Sequence, residues 1–395
     1  MRTLVLALVT LSACGPLMPI KPDAGAPGGG SSGVGGGFMF GGGSATGGGS
    51  ATGGGLATGG GTTAGGSAAG GSAGGGSMGP FMWQSMSVVP VPSTTTGAAI
   101  TARPGEAWLT VSSALYRSTG GAFNEVSGFS LNGTAEDVLV TPAGKVFVVS
   151  TTTSSKICTA ADCTVASNFV TAMSGVPSDY FNGLCNSGET VYAIGNGSSS
   201  QAILFAFNGT GWTKISNDLG FQSPRRCVAG PAGEVYVLGR TFVVRYEGGG
   251  FGQENVNLMG QLAADWSDMA FTFGPGPAVD AMLVGGFASG SAAPSYRYAR
   301  RDSSGGGWTA LPIPMIGVSL NTVIAVGPNE YLAAGSPGGM PQNRFMAWNG
   351  TTWVPSTNQP PTALVLVNDG VTSTDREVFL IGSGGSGLVV IRGRR

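Results

Sequence analysis

The chain contains no histidine in its 395 residues. This absence excludes the Ser-His-Asp and Cys-His types of activated nucleophile, and it removes the usual proton shuttle and a common metal ligand. Charged residues are also scarce, at 10% of the chain, and the formal net charge is −1. Such a balance provides no electrostatic attraction to nucleic acid. We predict no nucleic-acid partner, no metal and no cofactor, and any catalysis would depend on carboxylate, Lys, Tyr or Arg groups.

A long apolar run is missing as well. The chain begins "MRTLVLALVTLSAC", in which Arg2 provides a basic start and Thr3–Thr10 a short apolar segment. That segment is too short to cross a bilayer as a helix, which is typical of a signal segment. We therefore assign residues 1–13 to a signal peptide that is not part of the fold.

The end of this segment, Leu11-Ser12-Ala13-Cys14, resembles the lipobox of bacterial lipoproteins. The resemblance implies cleavage before Cys14, acylation of that residue and anchoring in a lipid bilayer, where each buried CH₂ contributes about 0.8 kcal/mol. Gly15 stands where the family's inner-membrane retention signal would place Asp, so the resemblance implies an outer-membrane lipoprotein of the cell envelope. It would face either the periplasm or the cell surface. The alternative is an ordinary secretory signal that happens to contain a cysteine.

Residues 14–78 form a low-complexity segment. The run "GGGSATGGGSATGGGLATGGG" from Gly41 to Gly61 repeats a hexapeptide and offers little apolar surface. Such a segment cannot offset its chain entropy and is predicted to be a disordered tether. A Gly/Ser chain spans roughly 5–6 Å × √n, which gives a mean reach of about 40–45 Å here.

The remainder, residues 79–395, shows an internal repeat and no clear helical periodicity. Turn residues followed by an apolar β-type run recur near positions 104, 142, 186, 231, 277, 327 and 373, as in "PAGKVFVV" at Pro142 and "PAGEVYVL" at Pro231. A period of about 45 residues with about four strands per unit is that of a β-propeller blade. We therefore predict an all-β, seven-bladed β-propeller, with six or eight blades as alternatives.

Each unit continues to a second strand pair that ends on an aromatic residue. Examples are "LYRSTGGAF" to Phe123, "LFAFNGTGW" to Trp212, "VVRYEGGGF" to Phe251 and "RFMAWNGTTW" to Trp353. Asn-Gly between β runs predicts a type I′ hairpin, because both residues tolerate a positive φ. We interpret the Asn-Gly-Thr triplets as turns, although they also match the N-glycosylation sequon.

The last unit ends at "GLVVIRGRR" without its aromatic strand, while "GPFMWQSMSV" provides an unpaired strand at the start of the domain. We predict that a strand near residues 81–88 completes the last blade and closes the ring.

One unit resembles the kelch repeat. "LVGGF" at Leu283–Phe287, then Tyr296 or Tyr298, then Trp308 follow the kelch order of Gly-Gly, Tyr and Trp. The resemblance implies the propeller fold and no particular activity. Sialidase propellers carry an S-x-D-x-G-x-x-W box in this hairpin, which the chain lacks.

Four cysteines remain beside Cys14, which suits an oxidising compartment. Cys158 and Cys163 flank a predicted hairpin turn, and Cys185 and Cys227 precede the turn-strand signature of consecutive units. We predict the disulfides Cys158–Cys163 and Cys185–Cys227. Aligning Val191 with Val235 places the second pair two residues out of register and therefore on the same strand face. A Cys₄ zinc site is the alternative.

Two groups of polar residues are candidates for chemistry. Asp265, Trp266 and Asp268 occur once, in "ADWSDMAF", before a predicted inner strand, and are candidate contacts for a carbohydrate or cation. The repeated glutamates Glu106, Glu189, Glu234 and Glu330 are interpreted as solvated turn residues. We predict no catalytic residues.

Three functions are consistent with these patterns. The first is a membrane-anchored lipoprotein whose propeller binds a protein or glycan without catalysis. The second is a carboxylate-based polysaccharide hydrolase or lyase that uses the central funnel. The third is a purely structural surface protein. An enzyme requires two convergent carboxylates, or a carboxylate with Tyr or Arg, within about 5–10 Å at one mouth of the channel.

Overall fold

The structure is a computed structural model. It describes residues 80–90, 97–175, 179–216, 218–254, 256–257, 264–273, 279–288, 297–301, 307–313, 318–327, 329–337, 344–356, 358–359, 364–374, 376–384 and 387–395. The predicted signal segment, Cys14 and the Gly-rich segment to residue 78 lie outside the described residues.

The described chain folds into seven antiparallel β-sheets, which are the blades of a propeller. It begins with β1 (Met82–Met86) and β2 (Val88–Val89). Blade 1 contains β3 (Ala98–Arg103), β4 (Glu106–Val111), β5 (Ala114–Ser118) and β6 (Phe123–Glu125). Blade 2 contains β7 (Ala135–Val140), β8 (Val146–Ser150), β9 (Ser154–Cys158), a 3₁₀ turn at Ala166–Asn168 and β10 (Phe169–Met173). Blade 3 contains β11 (Tyr180–Ser187), β12 (Thr190–Asn196), β13 (Ala202–Phe207) and β14 (Trp212–Ser216).

The remaining blades follow in chain order. Blade 4 contains β15 (Arg226–Ala229), β16 (Val235–Leu238), β17 (Val243–Glu247) and β18 (Gly250–Glu254). Blade 5 contains β19 (Val256–Asn257), β20 (Ala264–Phe273), β21 (Val279–Ala288), β22 (Arg297–Arg301) and β23 (Trp308–Pro312). Blade 6 contains β24 (Val318–Gly327), β25 (Glu330–Pro337), β26 (Arg344–Trp348) and β27 (Trp353–Pro355). Blade 7 contains β28 (Leu364–Thr374), β29 (Glu377–Gly384) and β30 (Gly387–Arg394).

The seven-bladed propeller predicted from the repeat is confirmed. In each blade the first strand of the unit is innermost, and these innermost strands lie side by side in a ring that closes where β28 meets β3. The apolar core is a ring of seven clusters, one between each pair of neighbouring blades. Apolar residues follow one another without interruption in strands such as β8 and β16, because both faces of a blade are buried against a neighbour and successive side chains enter opposite clusters.

Blade 7 is completed by the start of the domain. β1 pairs antiparallel with β30, so the strand expected near residues 81–88 occupies the outermost position of blade 7. Trp83 lies opposite Gly393, and a Cβ on Gly393 would lie 2.6 Å from the Trp83 ring. A glycine is therefore required where the aromatic ring crosses the last strand.

Two blades have a fifth strand that the sequence did not predict. β2 pairs in parallel with β6 on the outer edge of blade 1, and β19 pairs in parallel with β23 on the outer edge of blade 5. In both places a short segment that follows one blade pairs with the outer edge of the next blade. These additions cover two of the exposed sheet edges.

The Asn-Gly turns are hairpins, but they are not of type I′. In "FNGTGW" only Gly209 has a positive φ, of 100°, and Phe207 pairs with Trp212 across a four-residue loop. The Asn208 Oδ1 atom accepts hydrogen bonds from the backbone N–H of Thr210 at 3.1 Å and of Gly211 at 2.9 Å. Asn349 makes the equivalent bonds in "WNGTTW". The asparagine is favoured as a side-chain acceptor in an Asx turn and not for a left-handed backbone.

The aromatic residues that end the repeats pack in the core, with one exception. Phe123, Trp212, Trp308 and Trp353 are buried, whereas Phe251 in blade 4 is 42% exposed. In blade 2 the disulfide Cys158–Cys163 spans the corresponding turn, as predicted.

Candidate binding site in the central channel

The innermost strands surround a central cavity of about 470 Å³, which is lined by residues of all seven blades. Its size falls within the range of small-molecule and side-chain pockets. Among the described residues no cluster of carboxylate and cysteine groups could hold a metal ion. In the part of the chain that the structure describes, no helix is long and apolar enough to cross a bilayer.

One register position recurs in every innermost strand. The second strand of each blade contains a run of four residues, such as Val146–Val149 in β8, and the position in question pairs with the fourth of them. We call these seven residues the channel layer: Ala99, Asp137, Gly183, Arg226, Asp268, Thr322 and Asp369. In β7, β11, β20, β24 and β28 a β-bulge immediately precedes this residue. Bulges turn a side chain away from its regular direction, which is how the repeat positions this layer.

The three aspartates of the channel layer make the same pair of hydrogen bonds. Asp137 accepts from the N–H of Val138 and from that of Leu184 in blade 3, both at 2.8 Å. Asp268 accepts from Met269 at 2.9 Å and from Val323 of blade 6 at 3.0 Å.

Asp369 repeats this arrangement at the ring closure. It accepts from the N–H of Gly370 at 2.8 Å and from that of Ile100 in blade 1 at 3.2 Å. Each carboxylate therefore joins its own innermost strand to the next one. It satisfies an N–H at the open edge of that strand, which has no strand partner on its channel side.

Arg226 is the cation of the channel layer. Its Nη1 donates to Asp369 Oδ1 at 2.8 Å, and its Nε lies 3.4 Å from Asp268 Oδ1. The guanidinium thus joins blade 4 to blade 5 and, across the channel, to blade 7. The carboxylates, chiefly Asp268, raise the pKa of Arg226 further above its ordinary value, so the side chain is always charged.

Two carboxylates of the layer, those of Asp137 and Asp268, have raised pKa values. Burial, and secondarily the charge of Asp369, raises the pKa of Asp137 to about 7, although Arg226 and two N–H groups act in the opposite direction. Burial raises the pKa of Asp268 to about 6, against the lowering effect of Arg226. For Asp137 and Asp268 the effect of burial exceeds that of the single guanidinium, so both carboxylates retain a proton at a higher pH than an ordinary aspartate.

Other side chains complete the connections between neighbouring innermost strands. Thr101 accepts from Val140 N–H at 3.4 Å, Thr372 donates to Ala325 O at 2.7 Å, and Cys185 and Cys227 form a disulfide. With the aspartate and arginine contacts, every pair of adjacent blades is joined beside the channel by at least one side chain.

The Cys185–Cys227 pairing was predicted, but the register argument for it is incorrect. Cys185 pairs with Tyr192, and Cys227 pairs with Val237, so they differ by one position and not by two. The two turns that follow β11 and β15 differ in length, which shifts the register. An odd offset makes the two side chains point in opposite directions along the ring, which is what facing blades require.

The residue before each channel-layer position forms a second, more polar set at the channel mouth. We call these residues the mouth layer: Ala98, Glu136, Asn182, Arg225, Ser267, Asn321 and Asn368. Glu136, Arg225 and Asn368 are exposed and also line the cavity. Partial burial raises the pKa of Glu136. Arg225 donates from Nη1 to the carbonyl oxygen of Trp266.

The residues singled out in "ADWSDMAF" have three different environments. Asp268 lies in the channel layer, with a side chain 7% exposed and in contact with Arg226. Trp266 is fully buried in the cluster between blades 4 and 5, which leaves its ring no surface for a ligand. Asp265 lies in β20 opposite Phe287, and its side chain is outside the described part of the chain.

The repeated glutamates are not solvated turn residues, with the exception of Glu189. Glu106 is 8% exposed and accepts from Arg103 at 2.6 Å and from Arg117 at 2.5 Å. Glu234 is 7% exposed, and Glu330 is paired with Arg395. Glu189 remains near the surface, 3.2 Å from Lys145. None of them lines the cavity, so their role is structural.

Asp137 and Asp369 could have been found by aligning the innermost strands with the one that contains Asp268. The segments "AEDV", "WSDM" and "VNDG" place an aspartate at one position relative to the following turn. Arg226 has no such signal, because it is the only residue of its type in the layer.

Comparison with known proteins identifies the fold. No family model and no curated protein matches the sequence. The solved structure "YCF48 bound to D1 peptide" is similar, with a TM-score of 0.56 and 15% identity over 81% of this chain and 98% of that one. An extracellular domain from B. thetaiotaomicron, assigned to a hybrid two-component system, has a TM-score of 0.52 and 10% identity over 79% of this chain. The match spans 39% of that longer chain. At these identities the likeness shows that this chain has the same propeller fold.

Proposed function

We propose that the protein is a lipid-anchored component of the bacterial cell envelope whose propeller binds a partner protein, or a glycan, at the channel mouth without catalysis. The observation that supports this most directly is the contrast between the two layers. The channel-layer carboxylates are occupied by N–H groups of two blades, whereas Glu136, Arg225 and Asn368 of the mouth layer are exposed around the opening. Loops and exposed polar residues on a rigid scaffold are the usual places for recognition.

Three further observations are consistent with this proposal. The Cys158–Cys163 and Cys185–Cys227 disulfides suit an oxidising compartment outside the cytoplasm. One similar propeller is described as bound to a peptide, and another belongs to an extracellular domain. The segment Leu11-Ser12-Ala13-Cys14 is suited to acylation.

The binding proposal is tested by capture from envelope extracts with the full chain solubilised in detergent. The triple variant Glu136→Ala/Arg225→Ala/Asn368→Ala should reduce the captured partner at least about tenfold, since a few interface residues, arginine prominent among them, carry most of the binding energy. Lys145→Ala/Glu189→Ala removes an exposed pair at the opposite end of the innermost strands and should change nothing. Equal capture by both variants would show that the channel mouth is not the binding surface.

The anchor has an independent test. Cys14→Ser should abolish incorporation of labelled fatty acid and release the protein from the membrane fraction, because the acyl chains supply the binding energy. A Ser12→Thr variant keeps the thiol and serves as the control. If the Cys14→Ser protein still sediments with membranes, it is not anchored as a lipoprotein.

A second function is favoured by one observation. Arg226 lies 2.8 Å from Asp369 and 3.4 Å from Asp268, and the pKa of Asp137 is raised to about 7. A carboxylic acid that keeps its proton near neutral pH is suited to general acid catalysis in a polysaccharide hydrolase or lyase. Release of reducing ends from envelope polysaccharide, lost in both Asp137→Asn and Asp268→Asn, would establish an enzyme. Turnover unaffected by either substitution would exclude these residues.

A further inference from the structure

The chain contains five Asn-Gly dipeptides, which begin at Asn132, Asn182, Asn196, Asn208 and Asn349. In such a dipeptide the glycine nitrogen can attack the preceding side-chain amide, because glycine has no side chain that obstructs the approach. The reaction requires this nitrogen and the asparagine Cγ to come together, so a hydrogen bond that fixes either group elsewhere slows it. The five sites differ in how firmly these two groups are held.

The carboxamide groups of Asn208 and Asn349 are fixed in Asx turns. The Asn208 Oδ1 atom accepts from two backbone N–H groups, and its Nδ2 atom donates to Thr213 Oγ1 at 3.0 Å. The Asn349 Oδ1 atom likewise accepts from two backbone N–H groups, at 3.0 and 2.8 Å. These bonds hold both side chains in one orientation and oppose their rotation toward the glycine nitrogen.

Asn196 and Asn182 are restrained by the sheet of blade 3. Asn196 is 3% exposed, and the N–H of the glycine that follows it donates to a backbone carbonyl oxygen at 2.9 Å. Asn182 lies within β11, where its Nδ2 atom donates to Pro224 O at 3.3 Å and the next residue pairs with Ile194 of β12. In both places the strands hold the backbone on either side of the reacting groups.

Asn132 is the exception among the five. Asn132 and Gly133 are both exposed and lie just before β7. In the part of the chain that the structure describes, the Asn132 carboxamide has no hydrogen-bond partner, and the Gly133 N–H donates to no backbone carbonyl. The carboxamide is therefore able to rotate among its rotamers until Cγ faces the Gly133 nitrogen.

Thr152 contacts the peptide group that contains this nitrogen. Its Oγ1 atom donates to Asn132 O at 3.0 Å, and that oxygen belongs to the same peptide group as the Gly133 nitrogen. When the nitrogen loses its proton, resonance shares the negative charge with the oxygen, so the donor stabilises the nucleophilic form. The hydroxyl oxygens of Ser150 and Ser154 lie 2.7 and 2.9 Å from Thr152 Oγ1 and hold it in place.

We propose that Asn132 is a modification site at which the chain deamidates itself, with Thr152 as the activating hydrogen-bond donor. The Gly133 nitrogen gives up its proton and forms a bond to Asn132 Cγ, the Cγ–Nδ2 bond breaks, and Nδ2 leaves with that proton as ammonia. Water then opens the succinimide ring at one of its two carbonyl groups, which gives aspartate or isoaspartate. The modification is independent of the proposed binding function.

The product changes blade 2 at its channel-mouth end. Asn132 lies four residues before Glu136 of the mouth layer. Deamidation adds one negative charge to a chain whose formal net charge is −1. Isoaspartate also lengthens the backbone by one CH₂ group ahead of the β-bulge between Ala135 and Asp137. Either product therefore alters the segment that leads into the innermost strand.

The experiment is peptide mass spectrometry of the full-length protein in detergent, sampled during incubation at pH 8. Asn132 should deamidate at least about tenfold faster than the four other sites, because only there are both reacting groups unrestrained. In protein unfolded with guanidinium chloride the five sites should react at similar rates, since glycine follows each asparagine. A folded protein in which Asn208 or another site reacts as fast as Asn132 would overturn the proposal.

The role of Thr152 is tested with matched threonine-to-valine substitutions. Thr152→Val should slow deamidation of Asn132 about fivefold, which is the effect of one neutral hydrogen bond, and should not change the other four rates. Thr210→Val removes a hydroxyl from the Asn208 turn and should leave the Asn132 rate unchanged. An equal or faster rate at Asn132 in Thr152→Val would contradict the activating role. The comparison of the five sites in the wild-type protein needs no variant and decides the proposal if Thr152→Val fails to fold.

Discussion

The rim and the channel of this propeller use the same repeat in opposite ways. At the rim, Trp212, Trp308 and Trp353 occupy one position of the repeat and perform the same packing role in three blades. In the channel layer the corresponding position holds Asp137, Gly183, Arg226 and four other residues that differ in charge and size. Repetition therefore specifies how the blades are built, and departure from it supplies the charged groups that the ring encloses.

The largest expected effect concerns the rim. Trp353→Ala removes a ring that is 2% exposed and packs 5.6 Å from Trp348, so it should lower the free energy of unfolding by about 3–5 kcal/mol. Phe251→Ala is the matched control, because Phe251 has the same position in blade 4 but is 42% exposed, and its loss should be within about 0.5 kcal/mol. Urea unfolding measures both. Similar losses would mean that the repeated aromatic contributes through the hairpin and not through burial.

The two disulfides allow the rim and the channel to be compared through the length of chain that each disulfide closes into a loop. Cys185–Cys227 encloses a segment with a sequence separation of 42 beside the channel, while Cys158–Cys163 at the rim has a separation of 5. The longer closed loop restricts the unfolded chain more, so Cys185→Ser/Cys227→Ser should cost about 2–4 kcal/mol. The rim pair replaced by serine should cost about half as much. A larger loss from the rim pair, measured by denaturant titration, would contradict the loop-length argument.

Removing the channel cation should have a somewhat smaller effect. Arg226→Ala leaves Asp268 and Asp369 without their guanidinium, and because the Arg226 side chain is 36% exposed the expected loss at pH 7 is about 2–3 kcal/mol. The loss should be smaller at pH 5, because the pKa of Asp268 is raised to about 6 and its protonated carboxyl group needs no cation. Lys145→Ala breaks the exposed Lys145–Glu189 pair and should cost less than about 1 kcal/mol. An Arg226→Ala loss as large at pH 5 as at pH 7 would show that packing, and not charge, is what the guanidinium provides.

A further effect is the pH dependence of stability. The pKa of Asp137 is raised to about 7 in the folded protein, whereas the unfolded chain releases this proton near pH 4. The folded state therefore binds more protons between these values, and the contribution of this group to stability falls as the pH rises from about 4 to about 7. Asp137→Asn should flatten that part of the profile in urea titrations at several pH values. Glu189→Gln should not, because the pKa of Glu189 is lowered by its partners.

The fold could be predicted from the sequence because it depends on local, repeated signals. Turn residues before Val146 and Val235, and aromatics such as Trp353, mark each unit independently. The start and end of the domain also match, since Trp83 fills the position that the last unit lacks. The parallel strands β2 and β19 were not predictable, because two residues pairing with a distant edge leave no periodic pattern.

The channel site was only partly accessible to sequence reasoning. Asp268 was singled out because it is unusual, but Asp137 and Asp369 become its equivalents only when the bulges before them are counted. Trp266 lies two residues before Asp268 and would face the same side in a regular strand, yet it is fully buried, because the β-bulge between the two residues changes the direction of the side chains. The contact of Arg226 with Asp369 joins residues separated by 143 positions, which no local pattern encodes.

The pairing of β1 with β30 determines when the propeller can finish folding. During synthesis β1 leaves the ribosome before every other strand of the ring, but its partner, Gly387–Arg394, is the strand that emerges after all the others. The first six blades can therefore form while β1 has no strand partner, and the ring closes only once β30 has been synthesised. A premature stop before Gly387 would leave the seventh blade without its third strand and β1 without any partner. Because β1 and β30 come from the two ends of the domain, the ring can close only after every blade has been synthesised.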